Sequence, residues 1–134
     1  NACGVPPPSI YGPSGTTSGS KLLLHNDYDF NAAIVEINLI RTPDFVVIDG
    51  IVAGEGSGPL KNTPVDARII IAGRDIVAVD TVAATFMGFN PAKIPHLSLA
   101  HSAGLGEGDL EEIKVVGGNL ADLAIDFDSI FPKD

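Results

Sequence analysis

The sequence predicts an α/β domain with a mostly parallel sheet, helices packed on it, and an irregular Pro/Gly-rich amino-terminal arm. Three observations carry this expectation. Two runs, "FVVI" and "ARIIIAG", are continuously apolar and β-branched, the pattern of strands buried on both faces. Segments of helical period stand before the first and after the second. The chain is 45% hydrophobic with no Trp and few aromatics, so its core is built from Ile, Val, Leu and Ala, as in sheets covered by helices.

The elements follow in order. Residues 1–20, "NACGVPPPSIYGPSGTTSGS", are rich in Pro, Gly, Ser and Thr and read as the irregular arm. Residues 21–134 read as a single α/β domain, itself a piece of a larger one. Leu22 to Leu24 form a short strand or docked segment. "DFNAAIVEINLIRTPD" is helical, with Phe30, Ala33, Ile34, Ile37 and Ile40 or Arg41 on one face, Asp29 as N-cap and Pro43 as the stop. "FVVID" is the first main strand. Residues 51–66 show no helical period and read as a long glycine-rich loop, a length that is often functional. "ARIIIAG" is the second main strand. It turns directly into the helix "RDIVAVDTVAATFMGF", capped by Asp75 and ended by Gly88. Asn90, Pro91 and Pro95 predict two short helical segments. "DLEEIKVVGG" gives a helical turn and a strand, Ile113 to Val116, before an acidic tail that could add an edge element.

Charge narrows the range of partners. The formal net charge is −9, which disfavours nucleic acid and anionic membrane, since both are held by basic patches. Cys3 is the one cysteine and cannot form an internal disulfide or hold an iron–sulfur cluster by itself. No apolar run approaches the ~20 residues of a membrane span. The abrupt start without Met is what a piece of a longer protein would show.

Ligands collect at the carboxyl ends of strands in open α/β sheets. With parallel neighbours, Asp49, Glu55, Arg74 and Asp75 would share one rim, with Gly56, Ser57 and Gly58 supplying backbone N–H groups. The alternative splits them into a helix cap, an ion pair and structural turns. Asp80 shares a helix face with Ile76, Ala83 and Met87, and a carboxylate beside that stripe is costly unless paired. It is either satisfied structurally or points into a cleft as a ligand or acid/base group. Likewise Glu55 is either a ligand presented by the loop or the cap that pins it. His25, in "HNDYD", joins Glu55 and Asp80 as a weak metal-ligand set. His96 and His101 read as ordinary surface or core-edge histidines. "GEGSGP" is neither a P-loop nor a dinucleotide fingerprint, because no Gly-Lys-Ser/Thr follows and prolines intervene. It is not a nucleophile elbow either.

The segments "VVIDGIVAGEGSGP", "IIIAGRDIVAVDTVAATFMGF" and "IPHLSLAHSAGLGEGDLEEIKVVG" resemble the domain-of-unknown-function family three-six-two. Its members read as a strand, Asp-Gly, a Glu-Gly-x-Gly-Pro loop, a Gly-x-Asp-x-x-x-x-Asp segment and a Gly-Leu-Gly turn. The resemblance is strongest over residues 44–117 and looser over "NACG" and "LLLHNDYDFNAAIVEIN". Asp49, Glu55, Gly56, Gly58, Pro59, Asp75 and Asp80 occupy the signature positions. The resemblance implies the carboxyl-terminal part of a cytoplasmic prokaryotic α/β domain, in many members joined to a ferredoxin-like 4Fe-4S module whose cysteines lie elsewhere. It implies no reaction. Two functions are therefore expected. One is a small-molecule or divalent-cation binding domain. The other is a non-catalytic module of an iron–sulfur redox assembly, docking a ferredoxin-type partner through its acidic surface and glycine loop.

Overall fold

In the computed structural model, residues 29–57 and 61–128 are described. The expected arm, the Leu22–Leu24 segment, His25 and Gly58 lie outside them. Two compact units divide the chain, residues 1–42 and 43–134. The first contributes α1 (Phe30–Ile40). Asp29 caps it as the sequence predicts, its carboxylate accepting the Asn31 N–H at 3.0 Å and the Ala32 N–H at 3.5 Å. The helix ends three residues before Pro43, which disfavours α geometry in the residue ahead of it. Ala33 and Val35 are its buried residues, whereas Ile40, expected on the apolar face, is exposed.

The second unit opens with four strands, β1 (Val46–Gly50), β2 (Ala53–Ser57), β3 (Lys61–Val65) and β4 (Ile69–Gly73). The mostly parallel sheet is not what forms. β1 pairs antiparallel with β4, and β2 pairs antiparallel with β3. The reason lies in residues 51–68. Parallel neighbours need a crossover of a dozen or more residues, usually helical. This stretch instead folds back on itself as the β2–β3 hairpin, so β4 must return against β1 in the opposite sense. The expected long loop is thus mostly strand. Its glycines hid it from pattern reading, and Pro64, opposite Gly54, is tolerated because a two-stranded ribbon has only edge strands.

The two pairs make one ribbon broken by a bulge. Gly50 faces Ile69 and Ala53 faces Val65, so residues 51–52 oppose residues 66–68, one residue more on the returning strand. Arg68 sits in the bulge at φ 53°, and its N–H donates to the Ile51 carbonyl at 3.1 Å. Its side chain pairs with Asp66, the Nε–Oδ2 distance being 2.8 Å. Both side chains are exposed, so the pair adds little stability.

The main strands are also not buried on both faces. Val46, Ile48, Ile69 and Ile71 turn inward and are half-buried, while Val47 and Ile70 turn outward and are exposed. Alternate residues of a strand point to opposite faces, and only the inner face is covered.

Helix α2 (Ile76–Phe86) packs on β4 and forms the centre of the unit. It buries Val77, Val79, Thr81, Val82, Ala84 and Phe86, nearly its whole circumference, and leaves Asp80 exposed. Burying an aliphatic or aromatic side chain of this size stabilises by about 1.5–3 kcal/mol, so α2 dominates the core energetics. A 3₁₀ turn (Pro91–Lys93) capped by Asn90 and then α3 (Pro95–Ser102) follow, the two short segments predicted from the prolines. Both α2 and α3 end in the same reverse-bond pattern. Phe89 N–H reaches the Ala84 carbonyl at 2.9 Å and Leu105 N–H reaches the Ala100 carbonyl at 3.0 Å. The left-handed residues that permit it are Gly88 and Gly104.

Residues 113–116, expected as a strand, form none among the described residues and pair with no strand there. After the short α4 (Leu120–Leu123) the tail forms a strap rather than a sheet edge. Ile125 N–H donates to the Phe86 carbonyl at 2.8 Å. Phe127 is buried, its ring edge-on to Phe86 at 6.2 Å.

Candidate functional site

The antiparallel ribbon redistributes the acids that parallel strands would have gathered. Asp49 stands opposite Ile70, whereas Arg74 follows Gly73, which faces Val46. The two lie at opposite ends of the β1–β4 pair, about 14 Å apart along the strand. Asp49 accepts the Ile51 N–H at 3.0 Å, a local turn at the end of β1.

Glu55 is the pin of the strap. Its Oε2 accepts the Asp128 N–H at 2.8 Å, and the neighbouring Gly56 N–H donates to the Asp128 carbonyl at 3.0 Å. Together they hold Asp128 through both its N–H and its carbonyl, so β2 holds the tail that covers the end of α2. Ser57 is exposed and faces Lys61.

Asp75 has both carboxylate oxygens engaged. Oδ1 accepts the N–H groups of Val77 and Ala78, each at 2.9 Å, and so caps α2. Oδ2 accepts the Glu107 N–H at 2.8 Å, which ties the 104–109 loop to the helix start. Gly106 has to be glycine here, because a Cβ would overlap the Asp75 carboxylate. In the same loop Gly108 N–H donates to His101 Nδ1 at 3.0 Å, and His101 lies 3.4 Å from Glu107 Oε1. The Gly-Leu-Gly-Glu-Gly spacing was visible in the sequence. Its partner, 32 residues away, was not.

Asp80 is the acid without an assigned structural task. Among the described residues it makes no hydrogen bond or ion pair. It is accessible at its surface, yet protein packed around its carboxyl raises its pKa above the ordinary 3.8, with the charge of His96 opposing the shift. Sequence reasoning treated His96 as ordinary. Its relation to Asp80 depends on α3 meeting α2, which no spacing in the chain reveals. Among the described residues no three His, Cys, Asp or Glu side chains converge as a metal site.

An open groove of about 720 Å³ runs beside β4. One wall is β4 and the other is the irregular 112–118 segment, with Val79, Val82 and Phe86 of α2 between them. Of the predicted site residues it collects Arg74 and Asp75, which it adds to Glu107, Glu112 and Lys114. Asp49, Glu55, Ser57 and Asp80 are not part of its walls.

No described helix is long and apolar enough to cross a membrane. No solved structure matches the chain. A curated relative, a thylakoid-associated protein of Synechocystis sp., is 33% identical over 76 residues, 57% of this chain and 24% of the relative. The chain thus spans about a quarter of the relative's length. The family described as Domain of unknown function (DUF362) matches residues 12–85, from the amino-terminal arm almost to the end of α2. That match covers more than half of the sequence, and the chain belongs to this family.

Proposed function

We propose that the chain is a docking module of a redox assembly, and that the outer face of the ribbon is its contact surface. The observation that supports this reading is a group of exposed apolar side chains on that face. Phe45 and Val47 are each 58% exposed and Ile70 is 61% exposed, with Asp49 beside them on the same face and Ile51 beyond it. Adjacent exposed apolar side chains of this size mark interaction surfaces more often than isolated ones do. The partner in this reading is a ferredoxin-type 4Fe-4S domain, as the family resemblance implies. The chain itself supplies the carboxyl-terminal part of the larger prokaryotic domain and works in the cytoplasm. The Synechocystis relative is named as thylakoid-associated, and docking to a membrane-bound partner would bring this chain to such a surface without a spanning helix.

Isothermal titration with a ferredoxin-type 4Fe-4S domain tests the reading. Binding should weaken at least roughly ten-fold in Val47→Glu and in Ile70→Glu. It should persist at high salt, because burial of apolar surface is not screened as exposed charge is. Absence of binding, or equal binding by both variants, would refute it.

Asp80 favours a second reading, the small-molecule or divalent-cation site. A carboxyl disfavoured in its charged form gains from a cation beside it. Of the predicted acids among the described residues, Asp80 alone keeps its carboxylate uncommitted for such a ligand. Thermal unfolding of metal-stripped chain against divalent cations and small anions decides it. Ligand at ~100 times its dissociation constant should stabilise by about 2.7 kcal/mol, and Asp80→Asn should lose the shift. No shift with any of them removes this reading.

A further inference from the structure

The loop after α3 gathers three partners around one nitrogen. Gly108 N–H donates to His101 Nδ1 at 3.0 Å. From the same atom the Gly106 carbonyl lies at 3.2 Å and Glu107 Oε1 at 3.4 Å. Nδ1 cannot serve all three, because an unprotonated ring nitrogen accepts and a protonated one donates. With a lone pair on Nδ1 the ring satisfies Gly108 but sets that lone pair against two oxygens, one of them on a carboxylate. With a proton on Nδ1 the ring satisfies Gly106 and Glu107 but turns a donor toward the Gly108 N–H. Each arrangement meets a demand that the other breaks. The oxygens and the N–H are held in place without the ring. Glu107 N–H donates to Asp75 Oδ2 at 2.8 Å, and Glu107 Oε1 accepts the Asp109 N–H at 2.7 Å.

We propose that His101 is a proton-operated clasp on the 104–109 loop. Neutral, with its hydrogen on Nε2, the ring holds the loop through the Gly108 N–H. On taking up a proton at Nδ1 it releases that N–H and holds the loop through the Gly106 carbonyl and the Glu107 carboxylate. Histidine is the side chain that changes charge between about pH 5 and 8, and His101 is half exposed, so the proton comes directly from solvent. The other charged groups on the elements packed against α3 form no ion pair with His101 among the described residues. On α2, Asp75 is committed to N–H groups and Asp80 meets the charge of His96. The 3₁₀ turn carries Lys93, and the chain after Glu107 carries Asp109, Glu111 and Glu112. Glu107 and Asp75 also line the groove beside β4, so the clasp makes that wall responsive to pH. The inference depends neither on the outer ribbon face nor on a ligand at Asp80.

The test follows imidazole nitrogen NMR signals and backbone amide exchange of the full 134-residue chain between about pH 8 and pH 5. At the upper end the ring should carry its hydrogen on Nε2 and none on Nδ1. As His101 charges, protection of the Gly108 amide, corrected for intrinsic exchange, should fall by roughly ten-fold or more. The Glu107 amide, anchored by Asp75, should keep its protection throughout. His101→Asn sets an amide oxygen near the place of Nδ1 and does not titrate, so Gly108 should stay protected at both ends of the range. Glu107→Gln removes the charge that favours the protonated ring and should move the Gly108 transition to lower pH. A proton on Nδ1 at the upper end, or Gly108 protection that does not change with pH, overturns the proposal. So does an equal loss at Glu107, because the loop would then melt rather than switch. An undiminished transition in His101→Asn also overturns it, by assigning the change to another group such as His96, as does an unshifted transition in Glu107→Gln.

Discussion

Asp75→Ala is the substitution whose cost the geometry fixes best. The carboxylate accepts three backbone N–H groups, two at the start of α2 and one from Glu107. Loss of an N-cap costs about 1 kcal/mol. The Glu107 N–H, part-buried and without its acceptor, costs about 1–2 kcal/mol more. The sum is about 2–3 kcal/mol. At about 3 °C per kcal/mol for a chain of this length, Tm should fall by roughly 6–9 °C. Asp75→Asn keeps the cap oxygen but turns an NH₂ toward the Glu107 N–H, so it should lose about half as much. Gly106→Ala should resemble Asp75→Ala, since its methyl would displace the same carboxylate. Circular dichroism during heating and urea titration measures all three. An Asp75→Ala chain within 0.5 kcal/mol of wild type would refute the reasoning, because a carboxylate with three structural bonds cannot then be structural.

Further tests follow from single contacts. Thr81 is fully buried and its Oγ1 has no hydrogen-bond partner among the described residues, so Thr81→Val should raise stability by about 1 kcal/mol in urea unfolding. Glu55→Ala should free the strap, and the Asp128 amide should exchange with solvent markedly faster while α2 amides change little. Asp80 has its pKa raised in the folded state, so the charged carboxylate opposes folding above the folded pKa, and that penalty disappears as pH falls below 3.8. Asp80→Asn should therefore be more stable than wild type at neutral pH, with the advantage gone below pH 3.8. Replacing the left-handed Arg68 with Gly removes a backbone strain of about 1 kcal/mol at the bulge, and urea unfolding should show no loss of stability despite the missing ion pair.

Helix content was legible because its signals are local. Asp29, Asp75 and Asn90 capped the helices they announced, and Gly88 ended α2, since each acts within two to five residues. Strand positions were legible too, from the β-branched runs of β1 and β4. Strand direction was not. It depends on what residues 51–68 do, and a hairpin made of Gly, Asn and Pro carries neither a two-residue nor a helical period. The error in direction carried over to the site. Asp49 and Arg74 share a rim only if β1 and β4 run the same way. For Glu55 and Asp75 the sequence leaves a structural and a ligand role both open. Their structural partners, Asp128 and Glu107, lie 73 and 32 residues distant and leave no mark on the local sequence.

These contacts change what the acidic loop means physically. Glu55 and Asp75 spend their oxygens on backbone N–H groups of the same unit, and these bonds hold the tail and the 104–109 loop against α2. Facing outward on the ribbon are Phe45, Val47 and Ile70, with Asp49 among them. The carboxylates stabilise the module, and the proposed contact surface is its hydrocarbon one.

Methyl-resolved NMR tests it most directly. Valine and isoleucine methyls are labelled, and a ferredoxin-type 4Fe-4S domain is titrated in. The account predicts that Val47, Ile51 and Ile70 shift or broaden together while the buried Val77 and Val79 stay in place. Static ribbon methyls, with changes centred on Asp80 and His96 when a divalent cation is added instead, would contradict it and assign the function to a ligand site.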